Sequence, residues 1–451
     1  MQTFFESLWV SIPEIYLPKD WVDLTKWSVV ACDQYTSQPD YWDWVKHFVW
    51  DAPSTYKLTF PEIYLNDPDK EERIAKINQN MKDYLDQWIL ENKGVWFIYL
   101  DRQTSQVRSR KWLIMALDLE RYDFSKWSQT LIRATEWTII ERIPPRMRIR
   151  ENAIFELPHI LVLIDDQKKQ VIEPLANRID KFKKLYDFDM MMNGWHITWY
   201  QVTDEESING IIAWLTALAD KEAFKQKYGV WDDLWVLLFA MWDGNHSFAT
   251  AKAVWETKKK ELSEEERKNH PARFAIVEIE NVHDNWINFE PIHRVLFNVD
   301  HNHLYNEMVK YFRNIWSDVE IQHFGSKEDL KENLQESTSE VHYFWWANED
   351  WYDIIWIKNP KLNLEVWNLQ AFLDDYLNNY HDVEIDYVHG EEVTEEIWRK
   401  KWNQGFMLPI MDKSDFFKTV VLDWALPRKT FSMWEAEEKR FYLEARKIIK
   451  D

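Results

Sequence analysis

A chain that folds back on itself many times needs residues that tolerate left-handed backbone, and glycine does so without strain. This chain of 451 residues has eight glycines. Ordinary usage, ~7%, would supply roughly 32. It has instead 29 tryptophans, and many stand in polar turns. Trp21 lies in Pro18-Lys19-Asp20-Trp21 and Trp50 in Trp50-Asp51-Ala52-Pro53. Trp195 follows Asn193-Gly194, Trp242 precedes Asp243-Gly244, and Trp424 lies in Leu422-Asp423-Trp424. Tryptophan does not suit positive φ. The two counts together make an ordinary total for the pair. The expectation is that the gene reads UGA as glycine and has been translated with UGA as tryptophan. A truly tryptophan-rich protein is the alternative.

The length favours two domains. Apolar residues at 46% and charged residues at 29% describe a soluble globular protein, expected in the cytoplasm. A formal charge of −22 disfavours nucleic acid and anionic membrane as partners. No run of ~20 apolar residues could span a bilayer, and the N-terminus carries no secretion-signal pattern. The single cysteine, Cys32, excludes an internal disulfide framework.

The segment around residues 236–252 organises the rest. Val236–Met241 reads as a buried strand, Asp243-Gly244-Asn245 as a tight turn, and a helix starts near His246. The free N–H groups of a helix start converge on one spot and favour negative charge. The same pattern also makes an ordinary strand-to-helix connection. Upstream, Val29–Ala31 reads as a strand ending in the polar cluster Cys32-Asp33-Gln34-Tyr35. Between Leu131 and Arg150 arginines recur, with Arg146, Arg148 and Arg150 alternating as on an edge strand. Such a spot suits phosphate or carboxylate, or is simply salt-bridged. Asp165-Asp166 ends a strand and could hold Mg2+ or make a turn. Leu175–Phe188, Glu205–Tyr228 and a charged stretch ending at Ile449 read as helices. In the last third, helices are expected at 303–315, 326–336, 368–380 and 391–402. The acidic connection from Glu261 is the expected boundary, giving domains 1–262 and 263–451. The fold class is α+β, with mixed sheets and flanking helices.

Zinc spacing, G-x-S-x-G, Walker A and G-x-G-x-x-G are all missing from the sequence. The anion turn, the arginine segment, Glu290–Arg294 and Arg428-Lys429 remain, a set that suits a phosphorylated ligand.

Several segments resemble one family. They are Ala31–Pro39, Ile132–Glu136, Glu141–Arg150, Met191–Gly194, Asp243–Lys252, Glu290–Arg294 and Leu426–Ser432. Together they are similar to DUF1015, a family of unknown function. Its Asp-Gly-His-His-Arg signature is in turn similar to the nucleotide-phosphate turn of the ParB and sulfiredoxin superfamily, which includes a free-serine kinase. That resemblance implies a nucleotide site in the N-terminal part, lined by Asp243, Gly244, Asn245, His246 and Ser247. Asn245 replaces the family's first His, and Ser247 replaces its Arg. Arg146, Arg148 or Arg294 would then supply the lost charge. Thr135-Glu136 departs from the family's His-Glu pair.

In kinase terms Asp33 and Glu136 are candidates for the carboxylate that positions a hydroxyl, with Asp243 orienting and His246 donating to phosphate. ATP, ADP or CTP, with Mg2+, would be the cofactors. The function expected is binding of a nucleotide or phosphorylated small molecule, as a small-molecule kinase acting on an amino-acid-type substrate. The alternative is a non-catalytic nucleotide-binding regulator.

Overall fold

The computed structural model describes residues 3–450 except 106, 232–233, 335–336, 339, 425, 427–428 and 433–435. The chain divides into two compact units. Unit 1 is Met1–Ile287 with Trp434–Asp451, and unit 2 is Asn288–Met433.

Unit 1 is built on a ten-stranded mixed sheet. Its strands are β1 (Phe4–Phe5), β2 (Val10–Ser11), β3 (Phe97–Arg102), β4 (Arg110–Asp118), β5 (Ile132–Ala134), β6 (Leu161–Ile164), β7 (Lys183–Asp189), β8 (His196–Val202), β9 (Phe239–Asp243) and β10 (Phe274–Asn281). The order is β7-β8-β3-β4-β10-β6-β9-β5, with β2 on β4 and β1 on β2. Pairs β6–β10 and β5–β9 are parallel, and the other pairs are antiparallel. Uninterrupted apolar runs such as Leu161–Ile164 suit central strands buried on both faces.

Alternate residues give the sheet two different faces. One carries Leu113, Met115, Val162, Ile164, Phe239, Met241, Val277 and Ile279. Against it pack Ile208, Ile211 and Leu215 of α2 (Glu205–Leu218) and Phe248, Ala251 and Trp255 of α3 (Asn245–Lys258). The other face carries Arg102, Arg110, Glu278 and Glu280, all buried. Over these lies the segment 436–446, whose backbone the arginines hold.

Unit 2 has a seven-stranded antiparallel sheet in which strand Glu290–Phe297, next to the edge strand Glu384–His389, also pairs with Gln404–Met407 and Phe431–Ser432. Helices His301–Asn314 and Glu365–Asn379 stand close to where the sequence placed them, while those expected at 326–336 and 391–402 are the shorter Lys327–Glu332 and Glu391–Trp398; residues 335–336 lie outside the described set. The α+β reading therefore holds, with mixed sheets and flanking helices. No helix among the described residues is long and apolar enough to cross a membrane.

Five expectations change. Glu205–Tyr228 is two helices, Glu205–Leu218 and Lys221–Tyr228, because Asp220 caps the second. The arginine segment is a helix, α1 (Ile143–Arg150), because Pro144 and Pro145 sit in its first turn, where no N–H is needed. Leu175–Phe188 is a 3-10 run, Glu173–Lys181, followed by β7. The stretch before Ile449 is no helix. It is a short 3-10 turn, Ala436–Glu438, then Phe441–Tyr442 pairing with Val29–Val30 and Arg446–Lys447 pairing with Phe155–Glu156. The 262/263 boundary falls inside unit 1, because β10 follows it and completes the large sheet. The acidic stretch there is a capped helix, Glu264–Lys268, with a Ser263–Glu266 capping box.

Fifteen described non-glycine residues have positive φ, and eight of them are tryptophan: Trp9, Trp50, Trp88, Trp127, Trp195, Trp316, Trp402 and Trp424. Trp50 combines φ 47° with ψ −124°, a conformation of type II′ turns that glycine dominates. Trp21 and Trp242 are not among the fifteen.

Candidate functional site

β9 ends at Asp243, Gly244 turns the chain, and α3 begins at Asn245. Gly244 has φ 76°, and a Cβ there would stand 3.1 Å from Ile160 Cα and 3.2 Å from the His159 oxygen. Both the conformation and the close approach require glycine. The Gly244 N–H donates to Asp243 Oδ1 at 2.8 Å. Thr135 Oγ1 donates to the Met241 oxygen at 2.5 Å, which ties the loop after β5 to the end of β9. Asn245 is 7% exposed, and its Oδ1 is buried without a hydrogen-bond partner among the described residues. That end of the amide has hydrogen-bonding capacity unused among the described residues.

His246 differs from expectation. Its Nε2 accepts the Ile139 N–H at 3.1 Å, so that nitrogen is not a phosphate donor. Ser247 Oγ lies 2.6 Å from His159 Nε2. The other His159 nitrogen, Nδ1, is 3.0 Å from Tyr442 Oη, and Tyr442 Oη accepts the Cys32 N–H at 3.1 Å. Cys32, Tyr442, His159 and Ser247 thus form one hydrogen-bonded row leading to the turn.

Asp33 lies on this row's first loop. Burial, then repulsion from Asp243, raises its pKa above the ordinary carboxylate value, and His159 partly offsets this. Burial works the same way on Asp243, but Lys439, the Gly244 N–H and His159 outweigh it and hold its pKa low. Lys439 Nζ stands 3.2 Å from Asp243 Oδ2. Burial, Asp33 and Glu62 push the Cys32 thiol above its usual pKa, which disfavours the thiolate.

The arginines do not supply the lost charge in the expected way. Arg146 donates from Nε and Nη2 to Glu62 at 2.8 and 2.6 Å, and the Glu62 N–H donates to the Cys32 oxygen. Arg146 therefore borders the site but is held by a carboxylate. Arg148 is exposed and pairs with Glu71 and Glu151. Arg150 pairs with Glu156. Arg294 belongs to unit 2, where its guanidinium is buried against Gln370 and over Tyr387, and burial lowers its pKa to about 10. Glu136 is exposed on the loop after β5. Arg428 lies outside the described residues. Asp165-Asp166 makes a turn: Asp166 Oδ2 accepts the Val171 N–H, and Asp165 is taken by His283 and Lys227.

The structure thus brings Asp33, Arg146, Asp243, Gly244, Asn245, His246 and Ser247 together in unit 1, with His159, Glu62, Lys439 and Tyr442. The last four carried no local sequence signal, because each reaches the turn from a distant segment. Among the described residues no cluster of three or more His, Cys, Asp or Glu side chains is arranged to hold a metal.

No curated protein matches the chain. Solved structures give faint likenesses. A conserved hypothetical protein from Pyrococcus furiosus is 10% identical, with TM-score 0.34, covering 74% of this chain and 95% of that one. A free serine kinase mutant in complex with ADP is 9% identical, with TM-score 0.35, covering 77% and 95%. SbnI with a C-terminal truncation, from Staphylococcus aureus, is 8% identical, with TM-score 0.31, covering 71% and 82%. Likenesses this faint show neither activity nor ligand. The family comparison is different in kind: the family model described as a protein of unknown function, DUF1015, matches residues 16–376, and the chain belongs to that family.

Proposed function

We propose that the Asp243–Ser247 turn binds the phosphates of a nucleotide, as in the ParB and sulfiredoxin superfamily, and that the protein is a small-molecule kinase. The observation that carries this is the left-handed Gly244 opening α3, whose first turn receives no side-chain cap, next to an Asn245 amide whose buried end has no partner among the described residues; turned over, that amide presents an N–H to a phosphate oxygen. Asp33 is the better base than Glu136, because its raised pKa makes it a stronger proton acceptor. Asp33 takes the proton of a substrate hydroxyl. That oxygen attacks the γ-phosphorus of ATP, the bond from phosphorus to the bridging oxygen breaks, and ADP leaves. A Mg2+ arriving with the phosphates would offset charge on the transferred phosphoryl group.

The test is incubation of the full chain with Mg2+, labelled ATP or CTP, and a pool of amino acids and sugars. Phosphorylated product supports the kinase. Nucleotide binding without turnover overturns the kinase in favour of a non-catalytic regulator. No binding overturns both. Asp33→Asn is expected to abolish turnover while leaving ADP affinity within a few-fold.

The eight left-handed tryptophans also support UGA decoding as glycine in the native cell. Mass spectrometry of natively produced protein is expected to read glycine at positions 50, 195 and 424. Tryptophan at all three overturns that reading.

A further inference from the structure

The charge that position 247 lacks has to come from somewhere, because a phosphate site without a nearby cation is weak. The first turn of α3 carries no lysine or arginine, and His246 Nε2 is taken by the Ile139 N–H. Around it, Arg146, Arg148 and Arg150 are each paired with glutamates. Arg133 is buried and donates to the Thr130 and Trp235 backbone oxygens. Lys439 differs from all of these. It reaches the turn and pairs with the turn's own Asp243, and its side chain is 16% exposed.

Its placement is engineered from below. Arg102, 1% exposed, donates to the backbone oxygens of Glu437, Glu438 and Lys439 at 2.6, 2.8 and 2.5 Å. Arg110 donates to the Glu438 oxygen at 2.7 Å. Beyond Lys439, Arg440 pairs with Glu278 and Glu444, and Tyr442 meets His159. A guanidinium spent on three successive carbonyls fixes the backbone that bears Lys439.

We infer that Lys439, delivered by the C-terminal segment, is the cation that contacts the ligand's phosphate at this turn. The inference rests on the phosphate-site reading above. An ammonium has three N–H donors and no acceptor, so one lysine can bridge a carboxylate such as Asp243 and a phosphate oxygen. Lys439 Nζ also lies 5.7 Å from the centroid of the Trp242 ring. Glycine at position 242 would open that side of the ammonium to the ligand.

The experiment is calorimetric titration of the full chain, and of its Trp242→Gly variant, with ADP, adenosine and inorganic phosphate. Lys439→Gln is expected to weaken ADP binding about tenfold or more, the loss of one charge-assisted hydrogen bond. Adenosine affinity stays unchanged, which a folding defect would not allow. Lys439→Arg keeps ADP binding within a few-fold, and inorganic phosphate competes with ADP in the parent but not in Lys439→Gln. Equal ADP affinity in the parent and Lys439→Gln overturns the inference while leaving the phosphate site standing. Absence of ADP binding in both parents overturns the site and the inference together.

Discussion

His159 Nε2 stands 2.6 Å from Ser247 Oγ, joining the loop before β6 to the first turn of α3. With Tyr442 on the other ring nitrogen, His159 fixes the angle at which α3 leaves the turn. A double-mutant cycle of His159→Phe and Ser247→Ala is expected to show a coupling of about 1 kcal/mol in urea unfolding. Additive effects of the two changes would mean that the pair contributes nothing to the turn.

A second pair governs the attachment of the C-terminal segment. Arg446 Nε lies 2.6 Å from Glu156 Oε1, with both side chains nearly fully buried. Arg446→Met leaves the buried Glu156 with Arg150 and the Ile276 N–H, and is expected to cost about 1–3 kcal/mol in denaturant unfolding. Burial pushes the Glu156 pKa up, but Arg446, Arg150 and the Ile276 N–H outweigh it and hold the value low. That stabilisation is present above the ordinary carboxylate value and is lost as pH falls through the lowered one. In Arg446→Met the acid limb of stability is expected to be shallower.

Glu280 behaves in the opposite sense. Burial raises its pKa to about 8, against the opposing pull of Arg110 and the Trp112 indole. Its contribution is fully present below the unfolded-state value of 4.5 and is lost as pH rises through about 8. Glu280→Gln is therefore expected to raise the melting temperature at about pH 9 and leave it nearly unchanged at about pH 4. A shift of equal size at both pH values would show that the residue does not titrate in that window.

Trp50, Trp88 and Trp316 combine positive φ with 74%, 72% and 86% exposure, so their rings bury almost nothing. Relief of left-handed strain is worth roughly 1–2 kcal/mol per residue, and glycine's greater chain entropy offsets roughly 0.5–1 of it. Each Trp→Gly change is expected to stabilise by about 0.5–1 kcal/mol in urea unfolding. Trp9 is the contrast: it is 6% exposed in the core, and its loss should destabilise.

Arg148 supplies a control for the site. Its guanidinium is directed to Glu71 and Glu151 at the surface. Arg148→Ala is expected to leave ADP affinity within a factor of about two, since exposed pairs are worth little. A larger loss would return Arg148 to the phosphate site.

The turn at Asp243–Ser247 was legible because its information is local: an apolar strand, a glycine and a helix start lie within a dozen positions. Asp33 was legible as a polar residue at a strand end. The arginine segment misled because alternation at 146, 148 and 150 imitates a strand, whereas Pro144 and Pro145 open a helix. The C-terminal stretch misled for a related reason. Its charges look solvated, yet Arg440, Glu444 and Arg446 are buried and paired. His159, Lys439 and Tyr442 were illegible because their roles exist only across long separations; Lys439 and Asp243 are 196 positions apart.

The division of unit 1 around unit 2 bears on how the protein is made. β10 leaves the ribosome before unit 2 begins at Asn288, but Lys439 and Arg440 are synthesised only after unit 2. The large sheet therefore waits, with one face uncovered, while unit 2 is translated. At the centre of that face stand Arg102, Arg110, Glu278 and Glu280. Ile98, Leu100, Ile114 and Ile276 alternate onto the same face, so the segment made last closes over apolar and charged side chains together, and the ion pairs of Arg440 fix where it settles.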